Sequence, residues 1–198
     1  MSKDDFVPSR GTDQGTALPA YEWGALAASE TFVRGEPVSI NAAGSITESA
    51  TNPDADDFVG FAAGSGDTVG ATDPIGTVRT PEGLFTPGLS PNLPTTGDDV
   101  PFFRARQQRK WMTRNFSTAG VGVLVTPTVA VIGDVGGLRL NGGVWFFDTA
   151  AGTTKLGRVT DVFDANFRSL KRAGAGTGVW VEIEWATSQL SVVSAPLA

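Results

Sequence analysis

The stretch FVRGEPVSINAAGSITESATNPDADDFVGFAA, residues 32–63, carries the clearest structural pattern in the chain. Within residues 38–46, apolar and polar side chains alternate on either side of the turn sequence Asn-Ala-Ala-Gly at 41–44. Alternation around a turn rich in Asn and Gly predicts a half-buried β-hairpin. A polar loop follows, and then the short apolar run Phe-Val-Gly-Phe-Ala at 58–62 predicts a third strand.

A similar order of parts recurs in residues 131–162. Here the pattern predicts strands at 138–140 and 144–148, joined by the turn Asn-Gly-Gly at 141–143. Further strands are predicted at 121–125, 128–132, 156–163 and 179–185. Repeated strands and tight turns predict a mainly β fold, namely a small β-barrel or β-tulip-like domain with at most one or two short helices.

The last predicted strand, VWVEIEW, has a buried face and a polar face. Its odd-numbered residues from Val179 to Trp185 are apolar, so we expect Trp185 to lie in the core. Glu182 and Glu184 share the other face, which we expect to meet solvent. Paired carboxylates perform glycosidase chemistry only beside a substrate cleft, and no aromatic-lined cleft is indicated here.

Residues 102–118 (FFRARQQRKWMTRNFST) are the one segment that favours a helix. Asp98 or Asp99 is placed to cap it, and Pro101 suits its first turn. Its Arg, Ala, Gln, Lys and Met residues are good helix formers.

Gly and Pro divide the chain into an arm and a domain. Residues 1–30 show no sustained period and are predicted to form an extended N-terminal arm, whereas 31–198 form the β-barrel-like domain. Within that domain, residues 64–103 contain seven Gly and six Pro and are predicted to be a long inserted loop. Residues 104–118 form a basic segment.

The absence of two residue types limits the chemistry of the chain. Its 198 residues include no His and no Cys. Histidine is the commonest general base near neutral pH, and both types are common metal ligands. We therefore expect no enzymatic activity, no catalytic residue, no cofactor and no bound metal.

Charge is distributed unevenly along the chain. The net charge is −6. Residues 1–103 carry four basic and fifteen acidic side chains, whereas residues 104–198 carry eleven basic and six acidic ones. Such asymmetry suits a protein that docks on copies of itself or on a patterned surface, although solvated faces would look the same.

Two groups of residues are candidate contacts with a partner or with other copies of the chain. The arm has large apolar side chains that a simple spacer does not need, and the basic segment combines cations with aromatic residues. The basic segment suits an acidic protein surface, a nucleic acid or plain solvation, and nucleic acid is the less favoured partner because the remaining surface is acidic. The candidates are Phe6, Leu18, Tyr21, Trp23, Arg104, Arg106, Arg109, Lys110 and Arg114.

The start of the chain and its hydropathy bear on location. The first residues, MSKDDFVPSRG, lack the basic-then-apolar layout of a signal peptide. No apolar run approaches the roughly 18 residues of a membrane span. We therefore expect a soluble protein with no membrane partner.

Several of these motifs together resemble one known family. The sequence RGEPVSINAAGSIT at 34–47 and DDFVGFAAG at 56–64 is similar to a recurring pattern of tailed-phage capsid decoration (cement) proteins. The segments VIGD at 131–134 and LGRVTDV at 156–162 resemble the later half of such chains.

The resemblance implies a structural virion protein of a bacteriophage. In that family a compact β domain sits on the capsid exterior, commonly as a homotrimer, and stabilises the head by bridging major capsid subunits. The implied partners are the major capsid protein and other copies of the chain, and the implied location is the virion, reached from the host cytoplasm during assembly. The arm 1–30 would run across the shell and become ordered only there or in the oligomer; the alternative is that it packs back on its own domain.

Two other functions also fit the sequence. Another virion β-protein, such as a tail tube or head–tail joining component, would equally contain a helix and a long loop. A carbohydrate-binding module would need exposed aromatic residues along a groove, and five Trp residues are present.

Overall fold

The computed structural model describes residues 6–9, 22–28, 30, 32, 34–54, 56–63, 78–79, 85–86, 96–105, 110–150 and 152–185. These residues form a mainly β structure, which confirms the predicted fold class. Their strands are β1 Val7–Pro8, β2 Glu22–Ala25, β3 Pro37–Ile40, β4 Ile46–Glu48, β5 Phe58–Ala62, β6 Val78–Arg79, β7 Phe85–Thr86, β8 Asp99–Arg104, β9 Lys110–Thr113, β10 Phe116–Ser117, β11 Val135–Asn141, β12 Val144–Asp148, β13 Gly157–Phe163 and β14 Trp180–Trp185. A 3₁₀-helix spans Val129–Val131, and one short helix, α1, spans Leu170–Ala173.

The strands form two sheets. The first has the order β1-β9-β14-β13-β11-β12-β10, and the second has the order β4-β3-β5-β8-β6-β7, with β2 also paired to β8. All of these pairs are antiparallel except β10 with β12. Among the described strands, each sheet has two ends and does not close into a barrel.

The predicted hairpin at 38–46 is confirmed. Ile40 pairs with Ile46 across the turn. The Asn41 side chain accepts hydrogen bonds from the backbone N–H groups of Ala43 and Ser45, and Gly44 takes a φ of 82°. Asn and Gly are favoured in such turns because one satisfies backbone donors and the other adopts positive φ without strain.

Strand β5 lies between two hydrophobic cores and belongs to both. Phe58 and Phe61 pack in the larger core with the residues of the first sheet, whereas Val59 and Ala62 pack in the smaller one. Because both faces are covered, all five residues of the strand are buried, which explains the uninterrupted apolar run in the sequence.

The predicted helix at 102–118 is wrong. This segment contains the second half of β8 and all of β9 and β10. Phe102 packs in the smaller core while its neighbour Phe103 packs against the larger one, which is the alternation of a strand. Pairing of β8 with β2 and β5 outweighs the modest helix propensity of the Arg, Gln and Lys residues.

The predicted strands at 121–125 and 128–132 are also wrong. The first segment is an irregular loop, and positive φ at Gly120 and Gly122 is incompatible with a regular strand there. The second contains the 3₁₀-helix, which the Thr128 side chain caps by accepting from Ala130 N.

The described parts of residues 1–30 belong to the two sheets. Strand β1 pairs with β9, and β2 pairs with β8. Phe6 is 2% exposed, and its ring stacks on that of Phe61 at 4.9 Å. These residues therefore pack back on their own domain, in contrast to an arm that is ordered only by a partner. Most of the predicted loop 64–103 lies outside the described residues.

The last strand confirms the prediction for Trp185 and corrects two others. Trp185, Ile183 and Val181 are fully buried. Val179 precedes the strand and is 37% exposed, because β14 begins at Trp180. Glu182, expected to face solvent, is buried.

Candidate functional site

The two described candidate contacts in the predicted arm, Phe6 and Trp23, do not form one exposed surface. Phe6 lies in the larger core, and Trp23 lies on β2, half-buried and opposite Pro101 of β8. Leu18 and Tyr21 fall outside the described residues. In the folded chain Phe6 therefore stabilises the domain.

Of the basic candidates, two bind carboxylates of their own chain. Arg104 Nε lies 2.6 Å from Glu22 Oε2, and Lys110 Nζ lies 3.0 Å from Glu182 Oε1. Arg114 is exposed, with its guanidinium 4.2 Å from the centroid of the Trp180 ring. Arg106 and Arg109 fall outside the described residues. The three described cations thus have separate intramolecular contacts.

Glu182 is the centre of a buried polar cluster. It is 4% exposed and accepts hydrogen bonds from Ser9 Oγ at 2.6 Å and Thr160 Oγ1 at 2.9 Å, besides its ion pair with Lys110. Ser9 follows the edge strand β1, is held by the bond from its N–H to the Lys110 carbonyl, and places its hydroxyl against the carboxylate of Glu182. A carboxylate with three donors and little access to solvent is suited to holding strands together.

Among the described residues, the most conspicuous exposed feature is an apolar loop, residues 118–126, between β10 and the 3₁₀-helix. Val121, Val123 and Leu124 are 57%, 50% and 65% exposed. No charged residue occurs between Arg114 and Asp134. Three large apolar side chains displayed on an uncharged loop are typical of a contact surface rather than of ordinary solvated structure.

Buried side chains beneath the apolar loop hold its backbone. Asp148 is fully buried, and its carboxylate accepts hydrogen bonds from the N–H groups of Gly120, Gly122 and Ala150, at distances from 2.8 to 3.3 Å. Ser117, also fully buried, accepts from Val123 N at 3.2 Å and Ala119 N at 3.3 Å. Most of the loop's inward N–H groups are thereby satisfied without a regular strand.

The apolar loop is also fixed against the β11–β12 hairpin. Asn141 Nδ2 donates to the Gly122 carbonyl at 3.1 Å, and Val125 N donates to the Phe116 carbonyl at 2.8 Å. A Cβ at Gly122 would lie 3.0 Å from Phe146, so the loop approaches the hairpin closely. A loop held in this way loses little further conformational entropy when it binds a partner.

Sequence patterns alone did not reveal the apolar loop, because its Val-rich composition favours a strand. The signals that point to it are the Gly-Val-Gly spacing at 120–122 and an Asp as the last residue of the following hairpin, Asp148. Neither signal predicts the loop unless the hydrogen bonds from Gly120 N and Gly122 N to the Asp148 carboxylate are also known.

Two further classes of feature are absent from the described part of the chain. No group of three acidic side chains there converges to hold a metal ion. Nor do the described residues include a helix with the length and apolar character needed to cross a membrane.

No family model, curated protein or solved structure matches this chain.

Proposed function

We propose that this protein is a structural virion component that binds the outer surface of a viral capsid and stabilises the head by bridging neighbouring major capsid subunits. The observation that carries the proposal is the apolar loop 118–126, which displays Val121, Val123 and Leu124 on a backbone held by Asp148 and Ser117. The resemblance of residues 34–64 to capsid decoration proteins supports the same function.

The energetics of such a contact are favourable. Burial of one Val or Leu side chain contributes about 1.5–3 kcal/mol. The hydrogen bonds that the loop N–H groups donate to Asp148 already order the loop, so less of this free energy is lost in fixing its conformation on binding. When many copies bind a lattice, each joining two shell subunits, a modest contact becomes a large collective resistance to expansion.

The polar side chains of the described residues agree with a binding role. Glu182 and Asp148 are buried and saturated with donors that hold strands or loops. Arg104 and Lys110 are bound to carboxylates of their own chain. These groups stabilise a rigid domain that presents an apolar contact.

The proposal is tested by co-sedimentation of the purified protein with heads of the virus whose genome encodes this chain. We expect the wild-type protein to sediment with expanded heads. The affinity of the variant Val121→Asp/Leu124→Asp for heads should fall by at least about a hundredfold, because two apolar contacts become buried charges. Val135→Asp is the matched control, since Val135 is similarly exposed but lies on β11.

Three outcomes would contradict the proposal. One is absence of wild-type binding to heads. Another is equal binding by the double variant and the control. The third is binding to isolated tails or head–tail connectors only, which would instead assign the protein to the tail or the joining region.

A further inference from the structure

A second exposed surface lies away from the apolar loop, around Phe167. This side chain is 58% exposed, and its backbone has a φ of 59°. Among the described residues, it is the one residue other than Gly with positive φ. A bulky residue in this conformation is strained, and strain of this kind concentrates where a side chain has a function.

The turn that contains Phe167 is closed by Asp164. Asp164 Oδ1 accepts hydrogen bonds from Asn166 N at 2.8 Å and Arg168 N at 2.9 Å, and Asp164 O accepts from Phe167 N at 3.1 Å. The turn thereby fixes the direction of the Phe167 side chain. Its ring stacks on Trp180 at a centroid distance of 5.4 Å and an interplanar angle of 28°.

One cation contacts this aromatic pair, and two more lie on the connection that carries Phe167. The Arg114 guanidinium lies over the Trp180 ring, and Arg168 and Arg172 are both exposed on the same connection between β13 and β14. None of these three forms an ion pair with another described residue. We call Arg114, Phe167, Arg168, Arg172 and Trp180 the basic patch. Arg and aromatic residues together are the commonest energetic anchors of protein interfaces.

The connection between β4 and β5 bears the opposite charge. Asp54, Asp56 and Asp57 are exposed, and none of them has an ion pair among the described residues. We call residues 51–57 the acidic loop. Unpaired charges of opposite sign on one chain can neutralise each other within a molecule or between molecules.

The strand register separates the two surfaces within one molecule. Gly157 of β13 pairs with Gly136 of β11, and the two strands are antiparallel. From that pair, β13 runs to Phe163 beside the basic patch, whereas β11 runs in the other direction to Leu140. Leu140 N donates to the Thr51 carbonyl at the start of the acidic loop. The surfaces therefore lie towards opposite ends of the first sheet.

From this arrangement we infer that the basic patch of one copy binds the acidic loop of a second copy. Contact between two basic patches or two acidic loops brings like charges together, and the two surfaces lie towards opposite ends of one molecule, so the complementary contact joins copies head to tail. Each copy then has one donor and one acceptor surface, and the contact generates a ring or a chain. The inference does not depend on binding to a capsid, because it concerns surfaces other than the apolar loop.

Sedimentation equilibrium of the full chain, without capsids, tests the inference. We expect the wild-type protein to self-associate reversibly at low ionic strength and to dissociate in about 1 M salt, where the Debye length falls to about 3 Å. In the variants Arg168→Glu/Arg172→Glu and Asp54→Lys/Asp57→Lys, the affinity of self-association should fall by at least about tenfold. Phe167→Ala should also weaken association while leaving the melting temperature unchanged.

An equimolar mixture of the two charge-reversed variants gives the decisive result. The intact patch of one variant meets the intact loop of the other, and the two reversed surfaces are again complementary, so we expect association to return. Arg34→Glu, which reverses an exposed charge that belongs to neither surface, should associate as wild type does. Wild-type protein that remains monomeric, reversed variants that associate normally, or a mixture that stays dissociated would overturn the inference.

Discussion

Ser9 Oγ donates a 2.6 Å hydrogen bond to Glu182 Oε2, and this buried contact joins the first described strand to the last. Strand β1 thereby lies at the edge of the first sheet, beside β9, with Phe6 inserted in the larger core. The beginning of the chain stabilises the domain directly.

Loss of the Ser9 hydroxyl should lower the stability of the domain. Ser9→Ala removes one donor from a buried carboxylate, which should reduce the free energy of unfolding by about 1–3 kcal/mol. Urea denaturation measures this difference. Thr118→Ala is the control, because Thr118 is exposed in the apolar loop, and equal stability loss in both variants would contradict the role given to Ser9.

Truncation of Phe6 should lower the stability of the domain far more than truncation of Phe167. The same atoms are removed in Phe6→Ala and Phe167→Ala, but Phe6 is 2% exposed and Phe167 is 58% exposed. We expect a loss of about 3–5 kcal/mol for the buried ring and little change for the exposed one. Equal melting temperatures for the two variants would show that residues 6–9 do not pack on the domain in solution.

Trp185 should be one of the most important core residues. It is fully buried and lies close to the rings of Phe6, Phe58, Phe61 and Phe147. Trp185→Ala should cost about 3–5 kcal/mol, and Trp185→Phe should cost less because most of the ring contacts remain. Thermal unfolding distinguishes them, and an unchanged midpoint for the Ala variant would place the residue outside the core.

Substitutions of two glycines by Ala should differ sharply in their effect on the melting temperature. A Cβ at Gly60 would collide with the backbone oxygen of Phe103, since β5 and β8 approach each other closely there. A Cβ at Gly152 meets no atom within 4 Å. We expect Gly60→Ala to unfold at a clearly lower temperature than Gly152→Ala, and similar midpoints would contradict the described packing of β5 against β8.

Replacement of Asp148 by Asn should loosen the apolar loop while keeping the size of the side chain. Oδ1 accepts from Ala150 N, Oδ2 accepts from Gly122 N, and Gly120 N donates to both oxygens, so whichever oxygen becomes an NH₂ group leaves either Ala150 N or Gly122 N without its acceptor. Hydrogen exchange at Gly122 or Ala150 should accelerate more than at Gly120, and the stability loss should be about 1–3 kcal/mol. Exchange at Ile183, in the core of the first sheet, serves as the reference.

Elements with local signals were predictable from sequence. The hairpin β3–β4, strand β5 and the hairpin β11–β12 each combine apolar side chains with a nearby Asn or Gly turn, and all are present in the structure. Residues 110–113 had no such signal, because β9 is defined by its distant neighbours β1 and β14. Helix-forming residues in that region therefore suggested the wrong structure.

The candidate contacts were likewise only partly predictable from the sequence. Sequence identified cations and aromatic residues, but it did not show that Arg104 and Lys110 are bound to carboxylates of their own chain. It also did not show that the Val-rich segment 121–125 is an exposed loop, since that depends on a contact with Asp148 across the hairpin.

By itself, the sequence determined the β character of the chain, the turns at 41–44 and 141–143 and the burial of Trp185, because side-chain alternation and turn chemistry act over a few residues. Tertiary structure alone decided which strands are neighbours, that Phe6 and Glu182 are buried, and that Val121, Val123 and Leu124 are displayed. These features depend on contacts between residues far apart in the chain, and local patterns do not encode such pairings.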